Sequence, residues 1–244
     1  MPYLIVILFL VVLLFGPQWW AQYTFRRYAK PQAHIPGSGA ELARHLLDRF
    51  EMQTISVEKT EAGNDHYDPQ SRTVRLSPDN YDQNSLTAVA VAAHEVGHAI
   101  QHHRGEALLN LRSRLIQVAS LAQKMGAAAL VIMPLAALVT RAPSTGLMLL
   151  IAGIGSMFIA AVVHLVTLPV ELDASFNKAL PILREGYVSK EDEPKVRKIL
   201  RAAALTYLAG SLASLLNPVS YTHLRAHETV RWIAYAVFCM KKWV

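Results

Sequence analysis

The amino-acid sequence predicts a mainly α-helical, multi-pass membrane protein with a small α+β domain outside the bilayer. Its 244 residues are 52% hydrophobic, and these residues gather in a few long blocks instead of spreading evenly. A transmembrane helix needs about 20 predominantly apolar residues. Short β-branched runs lie between the first two blocks and predict the small domain. Four blocks approach the length of a span, at residues 3–15, 127–140, 146–170 and 202–216.

The blocks divide the chain into six predicted segments. We expect the first block to be a retained anchor, because no basic region precedes it and no small-residue cleavage site follows it. The predicted segments are a transmembrane anchor at 1–25, a cytoplasmic domain at 26–117, two transmembrane helices at 118–170, a cytoplasmic helical segment at 171–201, a truncated transmembrane helix at 202–217 and a non-native tail at 218–244.

Lysine and arginine residues set the predicted orientation. Arg26 and Arg27 follow the interfacial Trp19 and Trp20, as is typical where a helix leaves the bilayer on the cytoplasmic side. The other basic residues concentrate in the two segments predicted to be soluble, so both are expected to face the cytoplasm. This distribution accounts for the formal net charge of +6, and we therefore expect a lipid bilayer, and no nucleic acid, as a partner.

Local signals predict the elements of the soluble domain. Ser38 precedes a helical pattern at residues 40–50 and is a candidate N-cap. The β-branched runs at 54–57 and 73–76 are separated by turn residues and predict a β-hairpin. Ser85 then precedes a proline-free helix at residues 86–102.

The last of these helices contains the sequence His-Glu-Val-Gly-His at residues 94–98. A helix advances about 100° per residue, so His94 and His98 share one face and can bind one Zn²⁺. Glu95 adjoins that face, where a carboxylate can act as general base on a metal-bound water. A chance match in a surface helix is the alternative, but the other faces are apolar, and buried polar groups need a partner. The motif therefore predicts a zincin-like metal site.

A catalytic zinc needs three protein ligands, and the third must lie elsewhere in the chain. Cys239 is the single cysteine, which excludes a cysteine cage, and Gln101 and Arg104 stand where a metzincin requires Gly and His. Glu171 is the leading candidate, because it ends a predicted membrane helix on the same side of the membrane as residues 94–98. A glutamate in interfacial water is the alternative interpretation for Glu171.

Other polar residues are candidates for supporting roles. His164 and Ser175 share the predicted helix face of Glu171, so His164 is an alternative ligand or a neighbour of the site, whereas Asp173 points away. The tetrahedral oxyanion needs a donor, and the sequence leaves this choice open. The oxyanion candidates are His66, Tyr67 and Tyr207.

Together these residues resemble the bacterial YugP-like family of predicted membrane-bound neutral zinc metallopeptidases. The resemblance implies a zinc peptidase of the bacterial plasma membrane. It is more distantly similar to the HtpX-type and CaaX-prenyl-type gluzincins, in which an Asp follows the ligand Glu by four residues; here that residue is Ser175. The matching stretches are residues 39–41, 65–69, 92–101, 168–171 and 202–207.

The C-terminal tail departs from this resemblance. Residues 218–230 look like translated sequencing-adapter read-through, and His223 and His227 within them match neither order of a zinc-binding helix. We therefore expect no ligand in this segment.

The sequence thus predicts a zinc-dependent, membrane-embedded endopeptidase that hydrolyses peptide bonds of membrane or membrane-proximal proteins. His94, His98 and Glu171 would hold Zn²⁺, and Glu95 would be the general base. The alternative is a non-catalytic zinc-binding membrane adaptor or chaperone-like protein. A metal transporter is a weaker alternative, since only His164 places an ionisable group deep in a predicted span.

Overall fold

The computed structural model describes residues 2–214, which form eight α-helices, one π-helical segment and three β-strands. The side chains of residues 2–11, 13–14, 130, 134, 137, 143, 154, 157, 160–161, 164 and 206–214 are not described. The elements are α1 (Pro2–Arg27), α2 (Gly39–Arg49), β1 (Ser56–Lys59), β2 (His66–Asp68), β3 (Thr73–Leu76), α3 (Pro78–Asp82), α4 (Leu86–His103), α5 (Ala107–Thr140), α6 (Pro143–Leu172), the π-helical segment (Asp173–Ala179), α7 (Leu180–Arg184) and α8 (Glu193–Ser214).

The chain divides into two compact units. Unit 1 comprises Met1–Ile116 and Val163–Gly210, and unit 2 comprises Gln117–Val162 and Ser211–Val244. Unit 1 contains the sheet, α4 and every site residue discussed below. In the described part of unit 2, α5 and α6 approach closely where Gly126 faces Ser156.

Helix α4 forms the centre of unit 1. Every residue from Leu86 to Gln101 is buried, because α4 is covered by α2, the sheet and the π-helical segment. Fully buried leucines of α2 and β3 pack in this core, and each contributes about 1.5–3 kcal/mol through removal of its side chain from water. The helix that carries the His-Glu-Val-Gly-His sequence is therefore a core helix with polar residues inside it.

Both predicted N-caps are present. The Ser38 hydroxyl accepts a hydrogen bond from the Glu41 amide, and the Glu41 carboxylate accepts one from the Ser38 amide, which completes a capping box. The Ser85 hydroxyl accepts a buried hydrogen bond of 3.1 Å from the Ala88 amide at the start of α4. The starts of α2 and α4 were thus predictable from local sequence.

The predicted hairpin was wrong in its strand pairing. Strand β1 runs parallel to β3, and β2, which the prediction lacked, pairs antiparallel with β3, so the sheet order is β1-β3-β2. The hairpin is therefore β2–β3. Its turn is stabilised by the Asp68 carboxylate, which accepts hydrogen bonds from the Gln70 amide and the Arg75 guanidinium. Strand β2 escaped prediction because three residues are too few to show alternation.

The prediction of a multi-pass topology was also wrong. Within residues 2–214, one helical stretch, Ala107–Met133, is long and apolar enough to cross a membrane, judged by length and composition. Only 12% of the most apolar 18-residue part of this stretch is buried within the protein. The described structure therefore supports one candidate span in place of several.

Part of the apolar sequence assigned to spans serves instead as protein core. Ala202 and Ala204 of α8 are fully buried, and they follow Ile199 and Leu200, which are also in the core of unit 1. Near the end of α6, Val170 is buried as well. Hydropathy counts apolar residues without regard to what covers them, so core helices and membrane helices give the same signal.

We expect Ser85→Ala to lower the free energy of unfolding by about 1 kcal/mol, because it removes the acceptor for a buried amide at the start of α4. Thermal or denaturant unfolding in detergent measures the change. Ser85→Thr, which keeps the hydroxyl, is the control and should lose less. Equal stability of Ser85→Ala and the wild type would show that the cap contributes nothing.

Candidate metal centre

Three buried side chains from two distant segments meet inside unit 1. His94 and His98 lie one turn apart on α4, and Glu171 lies at the end of α6; each is at most 2% exposed. The Glu171 Oε2 atom is 3.5 Å from His94 Nε2 and 3.0 Å from His98 Nε2. The three donor atoms all lie within 4.8 Å of one another. The residues predicted as a ligand set are therefore neighbours.

Ser175 sets the tautomer of His94. Its hydroxyl lies 3.0 Å from the Leu200 carbonyl, to which it donates its only proton, and 2.9 Å from His94 Nδ1. Because that proton is already used, Ser175 accepts a hydrogen bond from Nδ1–H of His94. The Nε2 atom of His94 then carries a lone pair and points at Glu171.

Gln101 sets the tautomer of His98 in the same way. The Gln101 amide nitrogen donates to the Val170 carbonyl at 3.1 Å and to the Asp173 carboxylate at 2.8 Å. The Gln101 oxygen must then accept from Nδ1–H of His98, 2.9 Å away. The His98 Nε2 atom is thereby left as an acceptor. Asp173, which was expected to point away from the site, thus supports His98 through Gln101.

This arrangement suits a bound cation. Two imidazole lone pairs and a carboxylate oxygen repel one another when buried together, unless a positive charge lies among them. Within the part of the chain that the structure describes, His94 Nε2 is also buried without a hydrogen-bond partner. Ligands bound to a tetrahedral zinc at 2.0–2.2 Å lie about 3.4 Å apart, which is close to the distances from Glu171 to the two histidines. Two histidines and one glutamate form a donor set that zinc accepts, with a fourth position left for water.

Glu95 follows His94 on α4 and is also buried. It is 3% exposed, and its Oε2 atom has no hydrogen-bond partner among the described residues. Burial raises the pKa of Glu95 to about 7; the nearby His94 acts in the opposite direction, and the negative charge of Asp65 adds to the increase. A carboxyl group of this kind can exchange a proton near neutral pH.

Glu171 differs electrostatically from Glu95. Burial alone would raise its pKa, but His98 and His94 in their protonated forms, together with Arg112, hold the pKa of this carboxyl well below its ordinary range. The Arg112 Nη2 atom is 2.6 Å from Glu171 Oε1. The two buried carboxyl groups are thus separated in function: Glu171 stays anionic, and Glu95 titrates more easily.

Close backbone packing brings the ligand segments together. A Cβ atom on Gly97 would lie 2.8 Å from the Ala174 carbonyl oxygen, so only glycine allows α4 to approach the π-helical segment this closely. That segment has the wider π turn, with the Leu180 amide bonded to the Ser175 carbonyl five residues earlier. Such turns are frequent at functional sites.

The other predicted candidates are elsewhere or undescribed. His66 is partly exposed on β2, and its Nδ1 atom is bonded to the Asn64 carbonyl. The Tyr67 hydroxyl lies 2.7 Å from His102 Nδ1, and burial raises the pKa of Tyr67 to about 12, so the phenol stays protonated. The side chains of His164 and Tyr207 lie outside the described part of the structure, as does the whole segment 218–244.

Two contributors, Arg112 and Gln101, were not recognised from the sequence as parts of the site. Gln101 follows His98 by three residues and so lies on the same helix face, which is a usable signal. Arg112 lies on another helix, and no local pattern relates it to the motif.

The comparisons with known proteins place the chain in a family of zinc enzymes. The family model described as "Putative neutral zinc metallopeptidase" matches residues 3–225. The chain belongs to this family. It is also 38% identical over 221 residues to the "Putative membrane protease YugP" of Bacillus subtilis (strain 168), which covers 86% of this chain and 92% of that protein. No solved structure matches.

Membership in the family fixes the coarse chemistry. Its members are described as zinc metallopeptidases, so zinc is the cofactor, the reaction is hydrolysis and the substrate is a polypeptide. The cluster of His94, His98 and Glu171 provides a place for that ion. The relative's name and the one candidate span also support an association with a membrane.

We expect Gly97→Ala to weaken zinc binding about ten-fold, because the added methyl group must push α4 away from the π-helical segment. Competition with a chromophoric chelator measures the dissociation constant. Gly155→Ala is the matched control, since a Cβ atom there meets nothing within 4 Å. Unchanged affinity in Gly97→Ala would mean that this close approach does not hold the ligands in place.

Proposed function

We propose that the protein is a gluzincin-type zinc endopeptidase that cleaves membrane or membrane-proximal proteins. The supporting observation is the buried convergence of His94, His98 and Glu171, with the buried Glu95 next to His94 on the same helix. The proposed ligands are these two histidines and Glu171, each offering one atom. The chemistry that Zn²⁺ supplies in such a site is Lewis-acid activation of a water molecule and of the scissile carbonyl.

Glu95 is proposed as the general base. In this role it takes a proton from the attacking water and returns it to the leaving amine. A pKa raised to about 7 by burial suits both transfers, because the protonated and ionised forms are then close in free energy at neutral pH. Its Oε2 atom has no hydrogen-bond partner in the described residues 2–214 and is therefore available to a water molecule.

Neighbouring polar residues hold the two imidazole rings in a fixed orientation. Ser175 would hold His94, and Gln101 together with Asp173 would hold His98, each by fixing the proton on Nδ1. Hydrogen bonds of this kind orient the ring and raise its basicity as a ligand. The group that donates a hydrogen bond to the oxyanion is not assigned among the three candidates His66, Tyr67 and Tyr207.

A membrane-proximal substrate is proposed from two observations. The candidate span Ala107–Met133 begins four residues after α4 ends, so the metal helix is near one end of a potential membrane helix in the chain. The relative is named a membrane protease. We propose that the active site faces the cytoplasm, because basic residues are frequent in residues 26–104, directly before the candidate span.

Glu95→Gln should keep its zinc and lose hydrolysis of an unfolded protein such as casein by at least about 100-fold, since general base catalysis contributes about 10²–10⁴. Zinc content by metal analysis and peptide release measure the two properties. Glu41→Gln, on the exposed surface of α2, is the control and should keep activity. Full activity of Glu95→Gln would contradict the role of Glu95.

Glu171→Ala should lower the zinc content of the purified protein and, with it, hydrolysis. The reason is that two imidazoles alone bind the ion more weakly than a set of three ligands. Glu185→Ala, at an exposed glutamate, is the matched control. If Glu171→Ala retained stoichiometric zinc with wild-type affinity, the third ligand would have to be another residue.

Loss of hydrolysis with retained zinc in Glu95→Gln also separates the proposed enzyme from a non-catalytic zinc-binding adaptor. An adaptor would bind zinc equally well in both proteins, and the wild type would release no peptides.

A further inference from the structure

The first two turns of helix α5 lie close to the metal centre. Arg112 lies there, and its Nη2 atom is 2.6 Å from the Oε1 atom of Glu171. Only 11% of the Arg112 side chain is exposed, so this ion pair is shielded from water and from salt. A surface ion pair contributes little, whereas removing one partner of a buried pair leaves the other charge uncompensated, which is strongly unfavourable.

The two oxygen atoms of Glu171 have different neighbours. Oε2 faces both histidine Nε2 atoms, at 3.5 and 3.0 Å, whereas Oε1 faces Arg112. A carboxylate can turn about its terminal bond and offer a metal one oxygen or both. Because the guanidinium holds Oε1, it limits that rotation and leaves Oε2 directed between the imidazoles.

We propose that Arg112 is a positioning residue that holds Glu171 in a one-oxygen mode toward the metal. The inference rests on the proposed zinc site and adds a residue that belongs to neither ligand-bearing helix. Arginine suits this role, since its planar guanidinium is always charged and offers several donors in a fixed geometry.

A second contact holds the start of α5 against the same segment. Glu106, directly before α5, is 3.0 Å from the Lys178 ammonium, which in turn is 2.7 Å from Asp173 Oδ2. The Asp173 carboxylate also accepts the hydrogen bond from the Gln101 amide that orients Gln101 toward His98. The beginning of α5 is therefore tied by two ion pairs, through Glu106 to Lys178 and through Arg112 to Glu171, which gives Arg112 a defined position.

The experiment compares Arg112→Gln, Arg112→Lys and Arg114→Gln with the wild type. Arg114 is the matched control, because it lies on the same helix but is exposed. Zinc affinity is measured by competition with a chelator, and the visible absorption spectrum of the cobalt-substituted protein reports ligand geometry independently of activity. Far-ultraviolet circular dichroism of the metal-free proteins checks folding.

We expect Arg112→Gln to bind zinc about 10–100-fold more weakly and to change the cobalt spectrum, as is typical when a group that orients a ligand is removed. Arg112→Lys should recover part of the affinity, and Arg114→Gln should match the wild type. If Arg112→Gln does not fold, the spectrum of Arg112→Lys still tests the role, since an ammonium cannot reproduce the guanidinium geometry.

Wild-type affinity and an unchanged cobalt spectrum in the folded variant would overturn the inference. A loss confined to kcat, with both metal readouts unchanged, would also overturn it, because Arg112 would then act on the substrate. If the wild-type protein itself bound no zinc, the proposed function would fail first. The two failures are therefore distinguishable.

Discussion

The structure depends on one buried contact, in which the Glu171 carboxylate lies against the Nε2 atoms of His94 and His98. Three electron-rich groups at most 2% exposed cannot stay together without positive charge. The protein places a proton on the far side of each imidazole through Ser175 and Gln101, and it places Arg112 against the remaining oxygen of Glu171. Each neighbouring polar group thus helps to keep the space between the three ligand atoms available for a cation.

This contact also explains the unusual packing around it. Gly97 lies within the His-Glu-Val-Gly-His sequence because the backbone of Ala174 occupies the space that a side chain would need. The π-helical segment follows Glu171 directly and contains both Asp173 and Ser175, which support different histidines. Here the Ser175 hydroxyl supports His94, and Asp173 acts on His98 through the amide of Gln101.

Some apolar segments of this chain form a candidate membrane span and others form the protein core, and hydropathy did not distinguish the two. In residues 2–214, the stretch Ala107–Met133 remains a candidate span, while the start of the block at 202–216 and the end of the block at 146–170 contribute to the core of unit 1. The predicted route by which Glu171 reaches the histidines, two successive membrane crossings, is therefore unsupported. The same two segments nevertheless meet, because the π-helical segment that directly follows α6 packs against α4.

The sequence by itself determined what depends on local geometry: the caps Ser38 and Ser85, the helix of α4, and the one-turn spacing of His94, Glu95 and His98. Helical periodicity and capping involve neighbours within four residues, so a single segment contains the whole signal. Tertiary structure alone decided the parallel pairing of β1 with β3, the hydrogen bond of Gln101 to Asp173, 72 positions away, and the contact of Arg112 with Glu171. These contacts depend on how distant segments pack, and one sequence contains no periodic pattern that relates such segments.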